Sequence, residues 1–343
     1  MRRSSLVVPL LAVAALLAGC AGGTQAAAST PAATAAASAS VTPVERTTVR
    51  IASLKGPTTM GLVKLMSDAT AGSAAEDYKV TMYSTPDQVV PLVAQGSVDV
   101  ALLPSNLAAV LYAKTKGAVQ VAAVNTLGVL DVVENGTAVH SLADLRGKTV
   151  VTSGKGASPE YVLNYLLRQD GLVPGTDVTV DYRSEPTEVA AVLAATPGAV
   201  GMLPQPFATV LTTGHPSIRT VVQLSDEWNR VTGGTSQLVT GVLVVRKQFA
   251  AEHPAALARF LDDYKVSTAF TNEHPDQAAP LIVQAGIVPS AAVAVAAIPA
   301  SHVTDLEGSD MRTALGGYLK VLFDADPASV GGALPGDDFY YQR

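Results

Sequence analysis

The sequence has little cysteine, few aromatic residues and little charge, and each shortage narrows what the chain can do. Its 343 residues include one cysteine, and aromatic side chains make up 5% of them. A single cysteine excludes a disulfide framework and a cysteine-based zinc site. The net charge is −6, charged residues amount to 15%, and lysine and arginine form no run. We therefore expect no nucleic-acid partner.

Motifs for catalysis and metal binding are also lacking. The five histidines are scattered and have no acidic partner at helix spacing, so we expect no metal site and no cofactor. No Gly-x-Ser-x-Gly turn supports serine catalysis, and we expect no catalytic residues. The stretch GKGAS places Gly156 where a nucleotide-binding P-loop needs serine or threonine, which argues against a nucleotide enzyme.

The first 20 residues have the pattern of a secretory signal. Two arginines precede a short apolar run from Leu6 to Leu17, and the sequence Leu-Ala-Gly-Cys then ends at Cys20. The apolar run is shorter than the ~20 residues that span a bilayer. The ending resembles the lipobox of bacterial lipoproteins, which implies a signal peptide over 1–19 and lipidation of Cys20. The alternative is an ordinary cleaved signal whose cysteine is incidental.

Residues 20–47 consist almost entirely of alanine, serine, threonine, glycine and proline. They carry too few large apolar side chains to offset the entropy of ordering, so we predict a flexible tether. The folded part is predicted to start near Thr48, and its length suffices for two lobes. The apolar stretch at 288–300 is short and interrupted by proline, which predicts a packed helix rather than a membrane span.

The folded part contains an internal repeat with a period of 100 residues. The sequence from Val80 aligns without gaps with that from Val180, and IASLKG at 51–56 aligns with VTSGKG at 151–156. Each copy alternates short apolar strands with helical segments, which predicts a largely parallel sheet. In the first copy, this pattern predicts strands at 48–53, 78–83, 98–103 and 119–124. It predicts helices at 58–69, at 86–95 and from 105. The alternative is that two unrelated α/β segments share only a hydrophobic rhythm.

Four loose motifs follow one another in a specific order, namely Asp144 to Lys148, Gly154 to Ser158, Gly171 to Pro174 and Glu188 to Ala190. In this order they resemble the central segment of the solute-binding proteins of ABC importers for nitrate, sulfonates and thiamine precursors. The resemblance covers most of 48–285. It implies an α/β structure of the type II periplasmic-binding fold, with two βα lobes joined by two crossover strands. We expect the first lobe to comprise 48–130 plus 241–343, and the second 131–240.

The same resemblance implies a function. It predicts an extracytoplasmic protein, held to the bacterial cell membrane by its lipid, that captures a small molecule between its lobes and delivers it to an ABC permease and ATPase. We expect a monomer that is not an enzyme. Two alternatives remain: an enzyme of the same fold, related to the pyrimidine synthases or the menaquinone-pathway proteins, and a surface lipoprotein that senses a ligand.

Ligands of such sheets bind beyond the carboxyl ends of the strands, where helix starts and short polar side chains collect. Structural roles compete there, because serine and threonine cap helices and asparagine closes turns. Lys55 and Lys155 are compatible with an anionic ligand. No arginine is placed for bidentate capture, so the ligand class stays open among small anions, sulfonates, pyrimidines and other small heterocycles. The candidate ligand-binding residues are Gly56, Thr58, Thr59, Ser105, Asn106, Asn125, Thr126, Gly156, Ala157, Ser158, Glu185 and Gln205.

Overall fold

Strands and helices alternate along residues 46–343, the part of the chain that the computed structural model describes. The strands are β1 (Thr48–Leu54), β2 (Asp77–Tyr83), β3 (Val100–Pro104), β4 (Val119–Thr126), β5 (Leu130–Asn135), β6 (Thr149–Ser153), β7 (Thr179–Arg183), β8 (Val200–Pro204), β9 (Ile218–Gln223), β10 (Gly241–Arg246) and β11 (Val303–Leu306). The α-helices are α1 (Pro57–Met60), α2 (Val63–Ala71), α3 (Pro86–Ala94), α4 (Ser105–Lys114), α5 (Ser158–Gln169), α6 (Pro186–Ala195), α7 (Phe207–Gly214), α8 (Leu224–Thr232), α9 (Lys247–Glu252), α10 (Pro254–Glu273), α11 (Pro275–Gln284), α12 (Ala291–Ala297) and α13 (Gly308–Ala325). Short 3₁₀ helices lie at Leu142–Leu145, Pro299–Ser301, Pro327–Val330 and Asp337–Phe339.

The predicted signal peptide, Cys20 and most of the predicted tether lie outside the described residues. Within 46–343, no helix combines the length and the apolar character needed to cross a membrane. The apolar stretch at 288–300 forms the short helix α12, which buries Val293, Ala294 and Ala297 as the prediction of a packed helix requires.

The helix predicted at 58–69 is two helices, α1 and α2, because the chain turns at Gly61 and Leu62. A Cβ atom at Gly61 would lie 3.0 to 3.1 Å from side chains of α10 and of β11, so the turn brings the backbone close to both elements. The other strands and helices predicted for the first copy are present within two residues of the predicted bounds.

The strands form two sheets. The first has six strands in the order β11-β4-β10-β3-β1-β2, and the second has five in the order β7-β6-β8-β5-β9. We call each sheet with its helices a lobe. The chain passes from β4 in the first sheet to β5 in the second through 127–129, and it returns to the first sheet with β10.

The prediction of a largely parallel sheet is right for one half of each sheet, the pairs within β3-β1-β2 and within β7-β6-β8, and wrong for the other half, where every pair is antiparallel, including β11 with β4. β10 lies antiparallel between β3 and β4, and β5 lies antiparallel between β8 and β9. Each central strand follows one copy of the repeat in the chain but pairs within the sheet of the other copy. The lobes therefore exchange their central strands, which a repeat pattern in the sequence does not reveal.

The two copies keep their 100-residue offset in their second and third strands, whereas the first strands and the fourth, β4 and β9, are offset by 99. Ile51 pairs with Val80 and Val100, whereas Val150 pairs with Val180 and Val200. β1 and β6 are thus equivalent at an offset of 99, one residue away from the alignment of their glycine loops. Because side chains alternate between the faces of a strand, residues matched in that alignment emerge in different directions.

One hydrophobic core reaches across both lobes. α13 packs against β4 of the first sheet and α5 of the second lobe, and it buries Leu315 and Tyr318 in this shared core. The Tyr318 ring centroid lies 5.2 Å from that of Trp228 on α8. Since the Trp228 side chain is fully buried, its contribution is to packing between the lobes.

Candidate functional site

A cleft of about 130 Å³ lies between the lobes, at the carboxyl ends of the parallel strands of both sheets. Leu54 and Lys55 enter it from the end of β1, Pro104 from β3, Ser153 from β6 and Pro204 from β8. Edges of this kind collect helix starts and loops, because every βα connection leaves the sheet there. The fold thus brings two such edges face to face.

The walls of the cleft follow the internal repeat. Ser84 faces it from the first lobe and Ser184 from the second, and the helix-start prolines Pro86 and Pro186 form a second matched pair. Proline at the first helical position has a fixed φ suited to the helix and no amide hydrogen to satisfy there. The crossover segments supply Val129 and Thr240. The cleft therefore has approximate twofold symmetry in its lining.

The lining is mainly apolar. Six prolines, together with Leu54, Val129, Leu130, Ala157 and Phe207, make up most of it. Its polar members are the hydroxyls of serine and threonine residues, the backbone at Gly154 and one charged side chain, that of Lys55. Such a lining suits a compact ligand with an apolar body and few polar groups.

Two buried polar atoms lack a hydrogen-bond partner among the described residues: the hydroxyl Oγ1 of Thr240, a residue that lines the cleft, and the amide Nδ2 of Asn125, a residue that does not. Asn125 is fully buried on β4, and its Oδ1 accepts a hydrogen bond from the Thr126 hydroxyl at 2.9 Å. Of the predicted ligand-binding residues, Thr58 and Ala157 line the cleft directly.

Three predicted residues contact one another across the lobes. The Ser158 hydroxyl at the start of α5 donates to Asn106 Oδ1 at 3.1 Å, and it lies 3.2 Å from the Ser105 hydroxyl at the start of α4. The Asn106 amide donates to the carbonyl of Ser329 at 3.0 Å. All three side chains are fully buried. Protein groups therefore occupy their hydrogen-bonding positions, and they hold α4 of the first lobe to α5 of the second.

Tyr318 of α13 belongs to the same inter-lobe contact. Burial raises the pKa of Tyr318 to about 12, and the neighbouring Ser158 and Ser105 hydroxyls offset only part of that shift. The phenol is therefore neutral at physiological pH.

The remaining predicted residues have various surroundings. Thr59 is buried and hydrogen-bonds the Ser53 hydroxyl at 2.6 Å, and Gly56 precedes α1 at a φ of 139°, a conformation that favours glycine. The Gly156 amide donates to the Glu160 carboxylate in an exposed loop. Glu185 precedes α6 and accepts a hydrogen bond from the Thr187 hydroxyl at 3.3 Å.

Gln205 contacts a buried acid, Asp131, that was not among the predicted site residues. Its amide donates to the buried Asp131 carboxylate at 2.7 Å, and its carbonyl oxygen accepts from the Thr209 hydroxyl at 2.7 Å. Burial raises the pKa of Asp131 to about 6, although the bond from Gln205 and the charge of His302 act in the opposite direction. An acid inside a run of apolar residues, LGVLDVV, was the available signal. The sequence also contained a signal for the paired prolines Pro104 and Pro204 of the cleft, because Leu-Pro ends both β3 and β8.

The described part of the chain contains no candidate metal site. Within 46–343, no group of three or more histidine, cysteine, aspartate or glutamate side chains is arranged to hold an ion.

Comparison with known proteins identifies a family and several similar structures. The family model described as NMT1/THI5 like matches residues 74–278, more than half of the chain. No curated protein matches the sequence significantly. An ABC transporter protein from Parabacteroides distasonis superposes with a TM-score of 0.72 at 21% identity, covering 87% of this chain and 99% of that one.

Two sulfonate-binding proteins are also similar in structure. SsuA from Xanthomonas axonopodis pv. citri, an alkanesulfonate-binding protein bound to MOPS, gives a TM-score of 0.67 at 16% identity over 85% of this chain and 96% of that one. The periplasmic aliphatic sulphonate binding protein SsuA from Escherichia coli gives 0.67 at 16% identity over 87% and 93%. These likenesses confirm the predicted two-lobe fold.

Proposed function

The chain belongs to the NMT1/THI5-like family, and from this premise we propose that it is a solute-binding protein. It captures a small molecule in the cleft between its lobes and delivers it to an ABC importer. The resemblance seen in the sequence is confirmed at the level of the family.

The cleft itself is the observation that carries the proposal. Repeat-related residues of both lobes line it, so a ligand inside touches both lobes at once. A molecule that contacts both walls favours the closed arrangement over an open one, because only the closed form makes both sets of contacts. Closure also removes water, which strengthens each polar contact inside.

The proposed location and partners draw on the similar structures. Two of these are periplasmic or sulfonate-binding components, and one is an ABC transporter protein. In our proposal the chain acts outside the cytoplasm as a monomer, is held to the membrane by a lipid on Cys20, and meets a permease with its ATPase. For the lobes we retain the bounds 48–130 with 241–343, and 131–240, which agree with the strand content of the two sheets.

Binding rather than catalysis fits the lining of the cleft. Lys55 is its one ionisable side chain, so the walls offer no paired acid and base for proton transfer. Of the predicted site residues, we keep Thr58 and Ala157, which line the cleft, as ligand contacts. Ser105, Asn106 and Ser158 are proposed to act through the closed arrangement that they stabilise.

A ligand screen tests the function. The chain without its first 20 residues is heated with sulfonates, nitrate, bicarbonate, thiamine pyrimidines, flavins and amino acids. A ligand at 100 times its Kd stabilises the fold by about 2.7 kcal/mol, which raises Tm by roughly 5 to 10 °C for a chain of this length. Filling the cleft with Ala157→Trp is expected to abolish the shift. Folded protein that responds to nothing in the panel would contradict the proposal and favour a sensing role.

A further inference from the structure

The lobes meet at two contacts that the internal repeat relates to each other. In the first, α4 of the first lobe meets α5 of the second through hydrogen bonds of Ser105, Asn106 and Ser158. In the repeat, α7 is the counterpart of α4, because both follow the third strand of a copy, and α1 is the counterpart of α5. The second contact is therefore the one between α7 of the second lobe and α1 of the first.

Phe207, at the start of α7, makes this second contact. A Cβ atom at Gly56, the residue before α1, would lie 3.6 Å from Cε2 of the Phe207 ring, so the ring lies against the backbone there. Val210, one turn further along α7, packs against the first-lobe cluster that contains Met60 of α1. The first contact is made by hydrogen bonds, whereas the second is apolar, and its aromatic ring lines the cleft.

The two copies of the repeat differ in where the helix after the third strand begins. α4 begins at Ser105, whereas α7 begins two residues later in the alignment, at Phe207. Phe207 is thus the first residue of its helix, while its counterpart Leu107 is the third residue of α4 and does not line the cleft. The aromatic wall therefore belongs to one lobe only.

The second lobe fixes the Phe207 ring in place. Phe207 is 8% exposed, and it packs in a buried cluster with Val133, Leu203 and Leu211. Protein cores are packed about as densely as organic crystals, so a ring held in one does not swing aside freely. Since Gly56 has no side chain, the position of the ring alone decides where the cleft ends on this side.

The cleft that this wall bounds is small. Its volume is about 130 Å³, and the six prolines of its lining have a fixed backbone φ that keeps the other walls stiff. An apolar cavity of about 150 Å³ in another protein accepts benzene. The closed cleft therefore holds an apolar body of roughly six carbon atoms.

We propose that Phe207 sets the upper size limit of the cargo, because its ring ends the cleft against Gly56. The cargo is then a compact molecule whose apolar body has about six carbon atoms, whatever polar group it carries. The inference rests on the proposed function, since it concerns the size selectivity of the same cleft.

Two homologous series test the size limit by calorimetry on the chain without its first 20 residues. One consists of the unbranched carboxylates from acetate to octanoate, and the other of the matching primary amides from acetamide to octanamide. The two series differ in charge, so a limit in length can be read from either. We expect Kd to fall about fourfold with each added methylene and to stop falling beyond about six carbon atoms.

Variants of Phe207 should move this limit. Phe207→Ala extends the cleft, so octanoate or octanamide should gain about tenfold or more in affinity while the shortest members change little. Phe207→Leu keeps more of the core filled and should move the limit by about one or two carbon atoms, which tests the wall if the alanine variant does not fold. Leu107→Ala, at the matched position outside the cleft lining, should leave the limit where it is.

Three results would overturn the inference. An unchanged length limit in both Phe207 variants would exclude this ring as the wall, although binding of the shorter members would keep the solute-binding function. The same shift in Leu107→Ala would assign the effect to a general loosening of the protein. If no member of either series binds but the wider ligand screen gives a hit, the cleft does not select by apolar size and the proposed function still stands.

Discussion

Among single residues in the described part of the chain, Asp305 has a buried carboxylate with no hydrogen bond to offset the cost of its burial. Both of its oxygens are buried without a hydrogen-bond partner, and the same holds for the Tyr264 and Thr268 hydroxyls on the neighbouring helix α10. Burial raises the pKa of Asp305 to about 7, the charge of Glu307 adds to the shift, and Lys265 and Arg343 oppose it. The folded protein therefore retains this proton at a pH where the unfolded chain has lost it.

This difference in the protonation of Asp305 sets the direction in which the stability of the fold changes with pH. A carboxyl with a raised pKa stabilises the fold most at low pH, and its contribution is lost as the pH rises from about 4 through 7. We predict that Asp305→Asn is more stable than the original chain at pH 8, by about 1 to 3 kcal/mol, the usual cost of an unsatisfied buried group. At pH 4 the difference should be close to zero. Urea unfolding of both proteins at each pH measures it, and an equal difference at both would contradict the assignment.

At the scale of the elements, the two copies differ at the start of their third strands. Asp99, just before β3, accepts hydrogen bonds from Arg50 on β1 and Arg246 on β10. The position before β8 holds Ala199, and the strand positions equivalent to the two arginines hold Thr149 and Asn135. The acid and both of its partners are thus absent together from the second lobe, which avoids a buried arginine without a counterion.

We predict that Asp99→Ala destabilises the protein by about 3 kcal/mol, because Arg246, whose side chain is 15% exposed, loses its partner. Asp77→Ala is the matched control, since its pair with Lys79 is exposed on both sides and should change stability by less than about 1 kcal/mol. Urea unfolding compares the two. Equal effects would show that the Asp99 cluster behaves like a surface pair.

These elements also show which features of the fold could be predicted from the sequence. Strand and helix positions were predictable because hydrophobic periodicity and helix-start prolines are local signals. The exchange of β5 and β10 could not be derived from the repeat, because a strand that lies between two repeats could pair with either sheet. Only the family resemblance, with its two crossover strands, implied it. The one-residue shift of β6 was hidden by a loop alignment that looked continuous. Ser158 was predicted as a ligand contact because it is a polar residue at a helix start. Its hydroxyl donates to Asn106, and its neighbours Ala157 and Pro159 line the cleft.

At the scale of the whole molecule, our proposal is that the contact of α4 with α5 stabilises closure of the lobes. Ser158→Ala removes the hydroxyl that bonds Asn106, and we predict that it disfavours the closed arrangement by about 1 kcal/mol, the net value of one buried hydrogen bond. Ser309→Ala, on the exposed first turn of α13, is the control and should have no effect.

A pair of spin labels reports the closure. Asp87→Cys and Thr187→Cys place exposed labels on the first turns of α3 and α6, which flank the mouth of the cleft. In a Cys20→Ser background these are the only two cysteines of the chain. The ligand found in the screen should narrow and shorten the distance distribution, and Ser158→Ala should restore a longer component. A distance distribution that changes neither with the ligand nor with Ser158→Ala would mean that the lobes do not move.

The exchange of central strands also sets the order in which the two sheets can be completed during synthesis, amino terminus first. β5 to β9 are contiguous in the chain, so the second sheet has all its strands once residue 223 has been synthesised. The first sheet begins earlier but finishes later, because β3 and β4 remain unpaired with each other until β10 arrives. Its exposed edges must therefore wait through the synthesis of the whole second lobe, and this interval is when the chain is most open to aggregation and most in need of a chaperone.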